Sequence, residues 1–437
     1  MNHVQPCVLV YNPLAGHGHL DSWNAMFISL LLAGGYRVLA LTPDVAALRQ
    51  RLELTGAGQS PNLQVLDWDV LRRNVAQRAV GRLGRMVAGL SARTAAPETA
   101  GQVDPELHYL EPLEFAQRVR EAVKKVAWKP HLILNMYMDL YRTDGPRWQA
   151  FDREHTQQAP ARKLSGVPAE APAGPIPWVG LRFIPWATPG EGYYQTTSLS
   201  GMCFLDQAVV ATYQAQLPEK QFFYLPDITH ADLPQSPNAL ALEIRRQAQG
   251  RTIVFMGGTI GATKNLAKWL ALILRADPTR WFFVQIGEVH QAALNAEDHA
   301  ADEQITRSPP ANLFVKTGYL PDERTFNAII QASDILFAVY RDFTISSNML
   351  GKAAAFEKPI LVADNHLMGD RVRHYGIGKA VPQDDVGLML SALTDLTNET
   401  ATRGGFGAYR DDFSQDALRT HLFNMMARCG VRLHSGK

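Results

Sequence analysis

Short uninterrupted apolar runs alternate along the chain with stretches of helical period. Cys7–Tyr11 (CVLVY) is the first such run, the pattern of a strand buried on both faces of a parallel sheet. A polar loop with two glycines, NPLAGHGHLD, follows, then helical period over Ser22–Ala33 and a second strand at Tyr36–Thr42 (YRVLALT). Together these predict a βαβ unit with a glycine-rich first turn. Further strands are expected at Asn62–Trp68, His131–Met136 and Trp178–Ile184. Gln157–Pro177, rich in Ala and Pro, reads as a mobile loop inside the first domain. Phe222–Leu225 with Pro226-Asp227 closes the first half, and Asp232–Asn238, with two prolines and little apolar content, reads as the linker.

The alternation then restarts. Strands are expected at Thr252–Met256, Trp281–Ile286, Leu313–Val315, Ile335–Val339 and Ile360–Ala363. Helices are expected at Asn265–Arg275, Asp322–Gln331 and Met349–Phe356, with a last one over Phe413–Cys429. The pattern predicts an α/β protein with two sheets of similar size. The expected domains are residues 1–228 and 239–408, with 409–437 as a closing helical segment.

A length of 437 residues favours two cores over one. The formal net charge of +1 sets up no field that would point to nucleic acid. Cys7, Cys203 and Cys429 are odd in number and far apart, and read as reduced thiols of a cytoplasmic protein. The start, Met-Asn-His-Val-Gln-Pro, runs directly into the first strand, so no signal peptide is expected. The most apolar stretch, Met26–Leu41, is interrupted by Gly34-Gly35 and Arg37 and is too broken to span a bilayer.

Several loops carry candidate chemistry. Gly16, His17, Gly18 and His19 leave the carboxyl end of the first strand, the edge where open α/β sheets bind ligands. A histidine there suits a general base toward an acceptor hydroxyl, and His19 is favoured over His17; solvated turn histidines are the alternative. Arg251–Asn265 (RTIVFMGGTIGATKN) is strand, glycine turn and helix start, with Lys264 placed to meet a phosphate or to lie on the surface. Ser346, Ser347 and Asn348 precede another helix and offer a small, polar, backbone-rich anion cradle. Two such loops at one sheet edge would grip a diphosphate from two sides. Tyr319, in FVKTGYL, suits stacking on a base or packing on a neighbouring helix.

Arg72, Arg73, Arg78, Arg82 and Arg85 lie in an acid-free amphipathic stretch, Leu71–Arg93. Such a stretch suits peripheral contact with an anionic membrane surface, or it is a solvated face over an ordinary core contact. Asp67-Trp68-Asp69 resembles a metal-site triplet of a kind common by chance and is discounted. No His/Cys spacing fits zinc, and neither a G-x-x-x-x-G-K-[ST] loop nor a G-x-S-x-G elbow occurs.

The layout resembles the GT-B glycosyltransferases, in which two Rossmann-like domains face each other across a cleft. The likeness covers nearly the whole chain. LLLAGGYRVLALTPD resembles the family's ending of the first βαβ unit, and YLPDITHADLP its entry into the second domain. The second half is closest to the group-4 retaining enzymes. Gly258, Thr259 and Lys264 fall where that group has its Gly-Arg…Lys pattern, with the lysine kept and the arginine replaced. VKTGYLPDERTFNAIIQASDILFAV resembles the stretch lining the base pocket, with Gly318 and Asp334 at its fixed points, and KPILVAD resembles the strand that follows. The family's two glutamates, eight apart, fall on Thr344 and Lys352, and Asp342 is the nearest carboxylate to stand in. Inverting group-1 enzymes, with a catalytic histidine near the first loop, are a second possible relative through His19.

The resemblance implies a nucleotide-sugar donor held in the second domain by Gly258, Thr259, Lys264, Gly318, Tyr319, Ser346, Ser347 and Asn348. It implies an acceptor of unknown kind on the first domain, no metal, no separate cofactor, and a last helix that crosses back. His19 and Asp342 are the catalytic candidates. A catalytically silent scaffold of the same fold, or a sugar-nucleotide epimerase, are the alternatives.

Overall fold

Each apolar run that opens a repeat becomes a parallel strand, because helices cover both faces of its sheet and leave it no polar side. The computed structural model describes residues 5–14, 20–68, 109–156, 174–318, 320, 323–398 and 403–432. Contacts divide the chain into two units: Met1–Leu225 with Arg419–Lys437, and Pro226–Leu418.

The first unit runs β1 (Cys7–Tyr11), α1 (Leu20–Ala33), β2 (Arg37–Thr42), α2 (Val45–Leu54), β3 (Leu63–Asp67), α3 (Pro112–Lys125), β4 (Leu132–Asn135), α4 (Gly145–Thr156), β5 (Trp178–Arg182), β6 (Leu199–Phe204), α5 (Gln207–Gln216) and β7 (Phe222–Tyr224). Its seven strands are ordered β3-β2-β1-β4-β5-β6-β7, all parallel. Its core is aromatic. Trp148 stacks on Trp178 at 5.5 Å and Phe115 on Phe151 at 5.2 Å, all fully buried.

The second unit runs α6 (Ala239–Ala248), β8 (Thr252–Gly257), α7 (Leu266–Arg275), β9 (Trp281–Gly287), α8 (Ala296–Arg307), β10 (Leu313–Thr317), α9 (Glu323–Ala332), β11 (Ile335–Ala338), α10 (Asn348–Ala355), β12 (Ile360–Ala363), α11 (His366–Tyr375), β13 (Gly378–Val381), α12 (Val386–Asn398) and α13 (Arg403–Asp412). Its six strands are ordered β10-β9-β8-β11-β12-β13, again all parallel. Apolar side chains on the two sheet faces form two separate cores.

The last helix expected over Phe413–Cys429 is α14 (Gln415–Arg428), and α13 before it is a helix that the sequence pattern did not predict. Ser414 makes the break: its hydroxyl accepts from the Ala417 N–H at 3.0 Å, an N-cap that restarts the helix. Phe413 stays with the second unit, stacked on Tyr409 at 4.2 Å. From Arg419 onward α14 belongs to the first unit, where Phe423 meets the Tyr36 ring and His421 the Tyr224 ring. Among the described residues no helix is long and apolar enough to cross a membrane. Arg72, Arg73, Arg78, Arg82 and Arg85 lie outside the described residues.

Candidate functional site

In the second sheet β8 lies between β9 and β11, so the chain builds outward in one direction through β9 and β10 and in the other through β12 and β13. That reversal makes the carboxyl ends of β8 and β11 the edge where open parallel sheets usually take a ligand. The glycine turn after β8 and the loop after β11 both leave this edge, since the two strands pair in parallel (Ile335 with Val254, Leu336 with Phe255).

Gly258 has φ +99°, a conformation that an L side chain resists. Gly287, the last residue of β9, lies so close to this turn that a Cβ there would stand 1.8 Å from the Gly258 carbonyl oxygen. The Gly318 N–H donates to the Gly287 carbonyl at 3.0 Å, so the turns after β8, β9 and β10 form a continuous rim. Thr259 is exposed on it. Tyr319, the next residue after Gly318, lies outside the described residues.

Lys264 ties the two loops together. Its Nζ donates to the Tyr340 hydroxyl at 2.6 Å and to the Gly257 carbonyl at 3.3 Å, and stands 3.9 Å from the Tyr340 ring centroid. An ammonium has three donors, so these two bonds leave one for an anion. Tyr340 is 2% exposed and cannot follow a moving lysine, so it fixes where the charge sits.

Behind Lys264 lies a fully engaged polar network. Asn265, buried with φ +58°, donates to the Gln383 carbonyl at 2.8 Å and accepts from Arg341 at 2.9 Å. Arg341 pairs with the buried Asp298 at 2.7 Å, and Asp298 accepts from the Ala267 N–H at 2.9 Å in the first turn of α7. A protein carboxylate therefore already occupies the positive end of α7. At this loop an anion is left with Lys264 and the glycine backbone.

Ser346, Ser347 and Asn348 are half-buried at the start of α10. The Ser347 hydroxyl accepts from the Met349 N–H at 3.3 Å and caps the helix. The Ser346 hydroxyl accepts from Arg371 at 2.7 Å. Asp342, in the same loop, has φ +47° and exchanges two hydrogen bonds with Gln383, at 2.8 and 2.9 Å. That grip holds an exposed carboxylate at a fixed point, in a conformation that costs a non-glycine residue about 1–3 kcal/mol. The structure thus gathers Gly258, Lys264, Asp342 and Ser346–Asn348 on loops at one edge.

Thr344 is exposed. Lys352, in place of the second family glutamate, is fully buried in α10. Its Nζ donates to Glu323 at 2.8 Å, to Asn327 at 2.6 Å and to the His230 carbonyl. Burial pushes its pKa below the ordinary 10.5, with Glu323 pulling the other way. It works as a tie between α9, α10 and the segment around His230.

In the first unit the same reversal falls between β1 and β4. Gly16, His17, Gly18 and His19 lie outside the described residues. In the loop after β4, the buried Asp139 carboxylate accepts from the Phe183 and Ile184 N–H groups at 3.0 and 2.7 Å. Arg182 bonds Glu191 and the Tyr193 hydroxyl. Burial raises the Asp139 pKa despite Arg182 and the backbone donors. This lattice fixes the loop after β5. Among the described residues no group of three or more His, Cys, Asp or Glu is placed to hold a metal.

Tyr340, Arg341, Asp298, Asn265, Gln383 and Arg371 were not singled out from sequence. Each acts through a partner distant in the chain, and the only local signal was the adjacency of Tyr340 and Arg341 to the end of a strand.

No family model matches the sequence, and no curated protein matches it. Solved structures do. An α,α-trehalose-phosphate synthase (UDP-forming) from Burkholderia vietnamiensis is 11% identical with a TM-score of 0.58, over 98% of this chain and 100% of that one. The E. coli trehalose-6-phosphate protein bound with UDP-2-fluoro glucose is 10% identical with a TM-score of 0.60, over 98% and 100%. Anabaena HepE in complex with UDP and glucose is 12% identical with a TM-score of 0.58, over 96% and 99%. At such identities the likeness is one of fold, and it runs the length of both chains. The chain has the two-domain α/β fold of the GT-B glycosyltransferases.

Proposed function

We propose that the protein is a glycosyltransferase that moves a sugar from a nucleotide-sugar donor to an acceptor hydroxyl. The observation that carries this reading is the Lys264–Tyr340 contact, which fixes a cation between two loops at the strand-order reversal of the second sheet. Neighbours of the same fold bind UDP with glucose and UDP-2-fluoro glucose. In the reaction the acceptor oxygen bonds to the anomeric carbon as that carbon's bond to the diphosphate breaks. The electron pair leaves on a phosphate oxygen, and the acceptor proton passes to a base. Lys264, Ser346, Ser347 and Asn348 with the Gly258–Thr259 backbone would meet the charge that builds on the leaving group. Such preorganised stabilisation is commonly the largest single contribution to catalysis. His19 is the candidate base, Asp342 the carboxylate standing in for the family's glutamates, Gly16, His17 and Gly18 the acceptor-side loop, and Gly318 and Tyr319 the base-side rim. The reading takes no metal and no cofactor besides the substrate, and a cytoplasmic location.

One observation favours a second reading, a silent scaffold of the same fold. Lys352 is locked into a buried polar cluster where the resemblance has a glutamate. Donor hydrolysis and transfer assays on wild type and Lys264→Ala separate the two. Under the first reading nucleotide-sugar turnover is present and falls with the lysine; a protein that binds no nucleotide and turns none over is the scaffold.

A further inference from the structure

The Ser346 hydroxyl does not stand alone at the start of α10. Its oxygen accepts from the Arg371 guanidinium, Nη1 to Oγ, at 2.7 Å. Arg371 comes from α11, is 7% exposed, and has its guanidinium carbon 4.6 Å from the Phe413 ring centroid. A serine hydroxyl has one hydrogen and two lone pairs. With a lone pair taken by a cationic donor, its hydrogen is directed elsewhere, and donation from that oxygen is strengthened along the bond chain. The neighbouring Ser347 spends its hydroxyl on capping α10. Of two adjacent serines, one closes the helix start and the other is set up to donate.

We propose that Arg371 is a positioning residue of the donor site. It fixes Ser346 as a hydrogen-bond donor to a nucleoside diphosphate and supplies positive charge behind the Ser346–Asn348 turn. The proposal rests on the nucleotide-sugar reading above. It also gives the glycine turn's missing arginine a replacement: the second cation comes from a different element, through a serine. A diphosphate carries more charge than one lysine neutralises, and charge-assisted hydrogen bonds are the strong ones. The competing account is that Arg371 only packs, holding α11 against Phe413. Packing would affect every ligand alike, whereas the relay acts on the diphosphate.

Calorimetric titration of UDP and uridine, or of GDP and guanosine if GDP is what binds, tests this on wild type, Arg371→Gln, Arg371→Lys, Ser346→Ala and the double variant Arg371→Gln/Ser346→Ala. Diphosphate affinity should fall about tenfold or more in Arg371→Gln and less in Arg371→Lys. Nucleoside affinity should hold, and the double variant should lose little more than the worse single one. Phe413→Leu removes the stacking partner but keeps the cation. It should lower the melting temperature while leaving the ratio of diphosphate to nucleoside affinity at its wild-type value. Equal loss of both ligands, unchanged diphosphate affinity in Arg371→Gln, or simple additivity of the two single variants overturns the proposal. If wild type binds neither nucleotide, the nucleotide-sugar reading itself fails and takes this one with it. If wild type binds and Arg371→Gln matches it, only the relay is wrong.

Discussion

Tyr340 holds Lys264 in two ways, through its hydroxyl and through its ring face. The two can be separated. Tyr340→Phe removes the hydroxyl and keeps the ring, so nucleotide affinity should fall only about two- to fivefold, the worth of one modest hydrogen bond. Tyr340→Leu removes both and should cost more. Equal affinities for the two variants in a binding titration would mean that the ring does nothing for the lysine. Lys352 is a different case, since its ammonium is buried and bonded on all three donors. Lys352→Ala takes the cation from Glu323 and leaves the Asn327 Oδ1 unmatched beside a cavity, and should destabilise by about 3–5 kcal/mol. Lys352→Met fills the volume and also removes a desolvated charge, so it should cost clearly less in urea unfolding. The reverse order would show that the pair itself, and not the filled space, holds α9 to α10.

At the level of elements, one of the contacts that seat α14 on the first unit is especially tight. A Cβ on Gly34 would stand 2.2 Å from the tip of the Phe423 ring. Gly34→Ala should therefore destabilise by about 1–3 kcal/mol, as overpacking does. Phe423→Leu in the same chain should recover part of that loss; a double variant as unstable as the sum of the two single ones would place the strain elsewhere. Apolar runs such as CVLVY, TIVFMG and ILVA have no polar face and no competing reading, and they became β1, β8 and β12. GKAV did not stand out because glycine and lysine weaken a strand pattern. Yet β13 needs that glycine, since a Cβ on Gly378 would lie 1.8 Å from the Ile360 carbonyl oxygen. The last helix stands where its pattern predicts, over Gln415–Arg428, whereas α13 (RGGFGAYRDD) does not stand out because its three glycines weaken a helical pattern. The lysine turn and the Ser-Ser-Asn turn were visible as local patterns. Tyr340, Arg341 and Arg371 were not, because their roles come from pairings with Lys264, Asp298 and Ser346 that only the folded sheet creates.

At the scale of the molecule, the two units differ in how they should respond to alkali. Burial pushes the Cys7 and Cys429 thiols from 9.0 up to about 12, and raises Cys203, Tyr141 and Tyr193 as well. All belong to the first unit. Their folded pKa values lie above their unfolded ones, so the unfolded state sheds these protons first. The stability they support is complete below about pH 9 and is lost as pH rises toward 12. Lys352, in the second unit, has the opposite sign, because the penalty on its buried ammonium is relieved as pH rises toward 10.5. Hydrogen exchange followed by mass spectrometry between pH 9 and 11 should show the first unit opening before the second; the second opening first would contradict the assignment.

The proposed sugar transfer requires a nucleoside diphosphate to settle between the lysine turn after β8 and the serine turn after β11. Calorimetric titration of UDP and GDP into the wild-type protein and into Lys264→Ala tests this most directly. One of the two nucleotides should bind the wild-type protein, and Lys264→Ala should weaken it by about 10- to 100-fold, the range for a hydrogen bond to a charged group. Binding of neither nucleotide, or the same affinity with and without the lysine, would contradict it.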